Sequence, residues 1–193
     1  MNCDEWIQAL WPVGGSYIPD EARRLYRLTQ ETPEPLWIVE VGSYAGFSGL
    51  MMAAASLERE SSRLVLVDSW GVYPHGSSDL DHLVRLLGHA QSVGLHSRFS
   101  TMRMKSTEAA AVWPPEAKIG LLHIDADHTQ KALLEDVEAW QRHLASGAAL
   151  VLHDCYYFYD DMDLAVTEIR SRPEWSGWEI VETQGLLRWK ETL

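Results

Sequence analysis

Residues 37–49 read WIVEVGSYAGFSG, from Trp37 to Gly49. A short hydrophobic run ends beside an acid, Glu40, turns on Gly42, and restarts with helical spacing through Phe47, Leu50, Met51 and Ala54. Strand, tight turn and helix in that order form the opening unit of a parallel sheet. Four further apolar runs read as buried strands: Leu64 to Asp68, Arg98 to Arg103, Ile119 to Ile124, and Ala148 to His153, with the first strand spanning Leu36 to Val41. Helical patterns lie between them. The clearest places Leu133, Val137, Trp140 and Leu144 on one face and predicts a helix ended by Ser146-Gly147.

Strands separated by helices at this rhythm imply right-handed crossovers, hence a Rossmann-like open α/β sheet, mostly parallel, with helices on both faces. After Asp163 the rhythm changes. A helix from about Leu164 to Ser171 precedes two strand-like pieces, Trp178 to Glu182 and Leu186 to Trp189, joined through Thr183-Gln184-Gly185 as a hairpin. This predicts an antiparallel pair on one edge. Residues 1–193 read as a single domain, with a helical and aromatic segment over 1–35 ahead of a core over 36–193.

Bulk composition narrows the function classes. Lys+Arg 16 against Asp+Glu 28 gives a formal net charge of -12, so most of the surface repels a phosphate backbone and nucleic acid is not an expected partner. No apolar run approaches the roughly 20 residues of a membrane span, and no membrane partner is expected. Met1 to Trp6 lacks the basic start and apolar stretch of a secretory signal, which predicts a cytoplasmic protein. Cys3 and Cys155 are too few for a disulfide framework or a thiolate zinc site and read as free thiols.

Ligands of such sheets bind beyond the carboxyl ends of the strands. Those ends carry Glu40-Val41-Gly42-Ser43, Asp68-Ser69-Trp70, Lys105-Ser106, Asp125-Ala126-Asp127-His128 and His153-Asp154-Cys155. Gly42 and Gly46 predict a tight turn that lets backbone approach a ligand, and the spacing is G-x-x-x-G rather than a dinucleotide G-x-G-x-x-G. Asp68 follows at a separation suited to gripping a ribose hydroxyl pair. Glu40 would repel a pyrophosphate. A ligand with a ribose, a positive charge and no phosphate fits better, and S-adenosylmethionine has these features.

The stretch Val39 to Ser48 resembles the first motif of class I S-adenosylmethionine-dependent methyltransferases, in the form found in the catechol and caffeoyl-CoA O-methyltransferase-like group. Val67-Asp68-Ser69-Trp70, His123 to His128, Trp140 to Gly147 and Leu152-His153-Asp154 resemble the related antibiotic sugar O-methyltransferases. The resemblance covers about Leu36 to Tyr156. It implies Glu40, Gly42 and Ser43 near the methionine portion, Asp68 on the ribose, and Ser69-Trp70 and Lys105-Ser106 bordering the adenine. Gly46 and Asp125 complete the implied cofactor set.

Asp125, Asp127, His128, His153 and Asp154 come from two strand ends that such a fold makes neighbours. Carboxylates gathered in one cleft need a cation or a shared proton. The resemblance implies a divalent metal at Asp125 and at the His153-Asp154 pair, magnesium in the relatives. Imidazole suits other metals better, so His153 either changes the metal or stays beside it as a buried histidine. Histidine titrates near neutral pH, which makes His128 one candidate base and Asp127 its rival, with Asp127 also well placed to cap the next helix. His123 reads as packed mid-strand, and His75, His82, His89, His96 and His143 show no ligand spacing.

Gly71 to Asp81, with Tyr73, Pro74 and His75, reads as a loop over the pocket mouth. Trp6, Trp11 and Tyr17 and the run Cys155 to Tyr159 are candidate aromatic walls, and Asp160, Asp161 and Asp163 read as acids at a helix start. The expectation is a small-molecule O-methyltransferase acting on a sugar, phenol or natural-product intermediate, in which a homodimer is a possible assembly. The alternatives are a nicotinamide-dependent oxidoreductase and a non-catalytic cofactor-binding protein of the same fold.

Overall fold

The computed structural model describes residues 1–14, 18–61, 63–72, 79–156 and 160–190. Its elements run α1 Cys3–Leu10, α2 Pro19–Glu31, β1 Trp37–Val41, α3 Phe47–Ala55, β2 Leu64–Asp68, α4 Leu80–Ser92, β3 Ser100–Arg103, α5 Ser106–Val112, β4 Ile119–Ile124, α6 Gln130–Gln141, β5 Leu144–Leu152, α7 Asp160–Ser171, β6 Trp175–Val181 and β7 Gln184–Trp189. One seven-stranded sheet has the order β3-β2-β1-β4-β5-β7-β6. The first five strands pair in parallel, while β7 runs antiparallel to both β5 and β6. The predicted α/β sheet with an antiparallel C-terminal edge is therefore the observed one. Strand order reverses between β1 and β4, where such sheets open a crevice for ligand.

Strand alternation divides the core. Ile38, Leu64, Leu66, Leu121 and Val151 face α1 to α4, whereas Val39, Val41, Leu122, Ile124 and Leu150 face α5 to α7. Helix α3 is buried at all nine positions, which explains why it is apolar on every side. The same alternation puts Glu40, His123 and His153 on the α3 face, at the carboxyl end of that core. Glu40 pairs in register with His123. This buried polar row lies under helices α2 and α3.

Some boundaries differ from the sequence reading, each for a tertiary reason. Helix α6 ends at Gln141, and Leu144 opens β5 by pairing with Ile119. Ser146 and Gly147 are thus inside the strand, where Gly147 has φ +77° and the ladder shifts register. The hairpin turn is Glu182-Thr183, with Val181 opposite Gln184. Gly185 belongs to β7, paired with Leu152 and Ile180, and a Cβ there would meet the Trp178 ring at 2.1 Å. Strand β3 begins at Ser100, β1 at Trp37, and α7 already at Asp160.

Among the N-terminal aromatics, Trp6 is buried in the core and Trp11 is exposed, packed edge-on against Phe47. Tyr17, Tyr73, Pro74, His75, Tyr157, Phe158 and Tyr159 lie outside the described residues. Cys3 and Cys155 are free thiols. No helix among the described residues is long and apolar enough to cross a membrane.

Candidate active site

The turns that follow β1 and β2 are tied together through one carboxylate, and β3 joins them through Arg103. Asp68 Oδ2 accepts the Tyr44 N–H at 2.8 Å and its Oδ1 accepts the Trp70 N–H at 2.9 Å. Trp70 has φ +36°, is fully buried, and donates its indole N–H to the Tyr44 carbonyl at 2.9 Å. Its own carbonyl accepts a guanidinium fork from Arg103 at 3.0 and 2.8 Å. The Trp70 ring therefore props the loops and presents no face to a ligand, contrary to the expected adenine border. Sequence reasoning missed Tyr44 and Arg103, since a backbone amide and a fork onto a carbonyl leave no motif.

Gly42 and Gly46 also serve packing. A Cβ on Gly42 would lie 2.0 Å from the Asp125 carbonyl oxygen, and Gly42 holds φ +86°. A Cβ on Gly46 would meet Leu86 of α4 at 2.2 Å. The first glycine thus brings the β1 turn against the β4 turn, and the second seats α3 against α4. Glu40 is fully buried, with Oε1 3.1 Å from His123 Nδ1. Its Oε2 and the buried Ser43 Oγ have no hydrogen-bond partner among the described residues. Two buried acceptors without donors in the β1 turn fit the ammonium end of a methionine-like ligand.

Ser69 carries the β2 turn, its carbonyl accepting the Val72 N–H at 3.0 Å. The Ser106 hydroxyl faces away from the cleft. It accepts the Trp140 indole N–H at 2.9 Å and bonds the carboxyl of Asp136, so only its backbone is available to border an adenine. Burial pushes Asp136 up from 3.8 to about 6, with the Ser106 bond opposing the shift. A raised carboxyl means the folded state holds its proton more tightly than the unfolded chain. Stability is then unaffected below pH 4, falls as pH rises from about 4 to 6, and stays reduced above that, by about 3 kcal/mol. Asp136→Asn is expected to restore up to that amount at pH 7 and nothing at pH 4. Urea unfolding at both pH values measures it.

The acids close the crevice on the β4–β5 side. Asp125 Oδ1 lies 3.6 Å from His128 Nε2 and 3.4 Å from His153 Nδ1. Asp154, at φ +52°, lies 3.1 Å from His128 through Oδ2 and 3.3 Å from His153 Nδ1 through Oδ1. Ligand atoms of Asp125, His128 and Asp154 all fall within 4.8 Å of one another, a spacing that suits one metal ion. The cluster thus unites three predicted residues. His153 sits buried beneath it, with Nε2 turned to Glu21 at 3.2 Å. Glu21 is a site residue the sequence reading missed, because an acid in a first helical turn reads as a solvated cap.

Burial works against charge on both acids, yet His153 and His128 hold Asp125 and Asp154 far below the usual carboxylate range. Hydrogen bonds to the same acids push His128 up to about 9. His128 therefore already carries a proton at neutral pH, which suits a ligand that exchanges that proton for a metal better than a free base. Asp127 is exposed, and the cap of α6 is Thr129, whose Oγ1 accepts the Ala132 N–H at 3.3 Å. Asp127 is thus free of the predicted capping role.

Residues 39–155, more than half of the chain, match the family described as a methyltransferase domain. The chain belongs to this methyltransferase family, and its sheet is that of the class I S-adenosylmethionine-dependent enzymes. Among solved structures, a methyltransferase from Geobacter sulfurreducens aligns with TM-score 0.72 at 20% identity, covering 100% of this chain and 92% of that one. An O-methyltransferase from Bacillus cereus in complex with SAH aligns with TM-score 0.71 at 13% identity, covering 97% and 90%. A TDP-rhamnose 3'-O-methyltransferase of calicheamicin biosynthesis aligns with TM-score 0.64 at 19% identity, covering 88% and 77%. These likenesses establish the shared fold.

Proposed function

We propose that this protein transfers a methyl group from S-adenosylmethionine to a hydroxyl of a small molecule, with a divalent cation orienting the acceptor. The observation that carries this reading is the contact between Gly42 and the Asp125 backbone, which sets the donor turn directly beside the acid cluster. The sugar O-methyltransferase likeness and the ordered strand-end acids support a hydroxylated acceptor.

Glu40 and Ser43 offer acceptors to the ammonium group, and Asp68, whose carboxylate gathers the Tyr44 and Trp70 amides at the ends of β1 and β2, accepts from the ribose hydroxyls. S-adenosylmethionine supplies the methyl group on a sulfonium. Asp125, His128 and Asp154 would hold the cation, which lowers the pKa of a hydroxyl brought to it. The methyl leaves sulfur for the acceptor oxygen, and the hydroxyl proton passes to Asp127. An imidazole in the donor set favours manganese, iron, cobalt or zinc over magnesium. Membership of a methyltransferase family removes the support for the nicotinamide alternative.

The test is turnover with S-adenosylmethionine and a panel of sugars and phenols, following formation of S-adenosylhomocysteine by chromatography. Acceptor-dependent product that disappears with chelator and returns with Mn2+ is expected. Product formation unaffected by chelator would remove the cation from the reading, and transfer only to amines or thiols would remove the hydroxyl.

A further inference from the structure

We propose that Glu21, on the N-terminal helix α2, is a positioning residue for the acid cluster: it accepts the Nε2–H of His153, so that Nδ1 faces Asp125 and Asp154 as a fourth cation ligand. The ligation half of this inference rests on the cation reading above. The orienting half does not.

Glu21 is fully buried, and a buried carboxylate is strongly unfavourable unless donors surround it. Four do. Oε1 accepts the Thr183 N–H at 2.9 Å and the Thr183 hydroxyl at 2.7 Å. Oε2 accepts the Ile18 N–H at 3.2 Å and faces His153 Nε2 at the same distance. The Ile18 bond is an ordinary helix cap and would be made equally well at the surface. The other three contacts draw the side chain inward, across to β5 and the β6–β7 turn. They fix the ring of His153, which is 2% exposed, with Nδ1 3.4 Å from Asp125 Oδ1 and 3.3 Å from Asp154 Oδ1. A histidine that binds a metal through one nitrogen characteristically gives its other N–H to a carboxylate, and that is the arrangement Glu21 completes.

Glu21→Gln separates orientation from packing. Both Thr183 donors claim the amide oxygen, which leaves the amide NH2 facing His153 and the Ile18 N–H, so the helix cap onto Ile18 is given up and Nε2 must accept rather than donate. The ring proton then moves to Nδ1, towards the acids. Two measurements read this out, 15N-imidazole NMR of the histidines and Mn2+ affinity from the EPR signal of the free ion. In the wild type, His153 Nε2 is expected to be protonated, and with 113Cd2+ bound Nδ1 should show coupling to the metal. In Glu21→Gln, Nε2 should lose its proton and Mn2+ affinity should fall about 10- to 100-fold, with Tm lowered only by the loss of the Ile18 cap. The wild-type spectrum stands as a test even if the variant folds poorly. An unprotonated Nε2 in the wild type, or no change at His153 in a folded Glu21→Gln, overturns the inference. If the wild type retains neither Mn2+ nor Cd2+ at millimolar concentration, the cation reading and the ligation half fall, and the Nε2 signal still decides the orienting half.

Discussion

The double replacement Asp125→Asn, Asp154→Asn is expected to give a folded protein whose Mn2+ affinity is lowered by more than about 100-fold while S-adenosylhomocysteine binding persists. Loss of a group that merely orients a ligand already costs about 10- to 100-fold in metal affinity, and this change removes two charged donors at once. Asparagine keeps the shape of each side chain. The acids are held ionised by His128 and His153, and they in turn raise His128 to about 9. Their removal should therefore drop His128 towards the ordinary histidine range near 6.5, which a histidine NMR titration follows independently of metal. The contacts that tie Asp68 to Tyr44 and Trp70 do not involve either acid, so the ribose side of the crevice should stay intact. Unchanged Mn2+ affinity in the double variant would place any bound ion elsewhere.

Gly42→Ala is expected to be among the most destabilising single changes, by about 2–5 kcal/mol. An alanine at φ +86° meets the steric cost of the left-handed region, about 1–2 kcal/mol, and its Cβ would overlap the Asp125 carbonyl at 2.0 Å. That neighbour is backbone at the end of a central strand, so the overlap is relieved only by parting the β1 and β4 turns, an overpacking cost of about 1–3 kcal/mol. Gly147→Ala is the control. It shares a positive φ, +77°, but has nothing within 4 Å of a built Cβ, so only the backbone cost of about 1–2 kcal/mol applies. Urea unfolding of both variants against the wild type measures the difference. Equal losses would mean that the turn contact is not the constraint described.

The fold was legible because strand runs such as Ile119–Ile124 are buried on both sides and carry their own signal. The edges were less so. Leu144 continues the helical period of α6 in sequence, yet its pairing with Ile119 makes it strand, and that pairing depends on residues 25 positions away. At the site, the acids at strand ends could be read from their order alone, and Asp125, His128 and Asp154 do meet. Two roles could not. Trp70 looked like a ligand-facing aromatic because nothing local reveals that its indole turns inward to Tyr44. Glu21 carried no signal of its own, because its partners Thr183 and His153 lie 162 and 132 residues away.

The most direct test of the central claim is calorimetric titration of S-adenosylhomocysteine into the wild type and into Asp68→Ala. One saturable site per chain in the wild type, weakened at least tenfold by the substitution, is the predicted result. No saturable binding at millimolar S-adenosylhomocysteine, or binding indifferent to Asp68, would contradict the placement of the cofactor at the ends of β1 and β2.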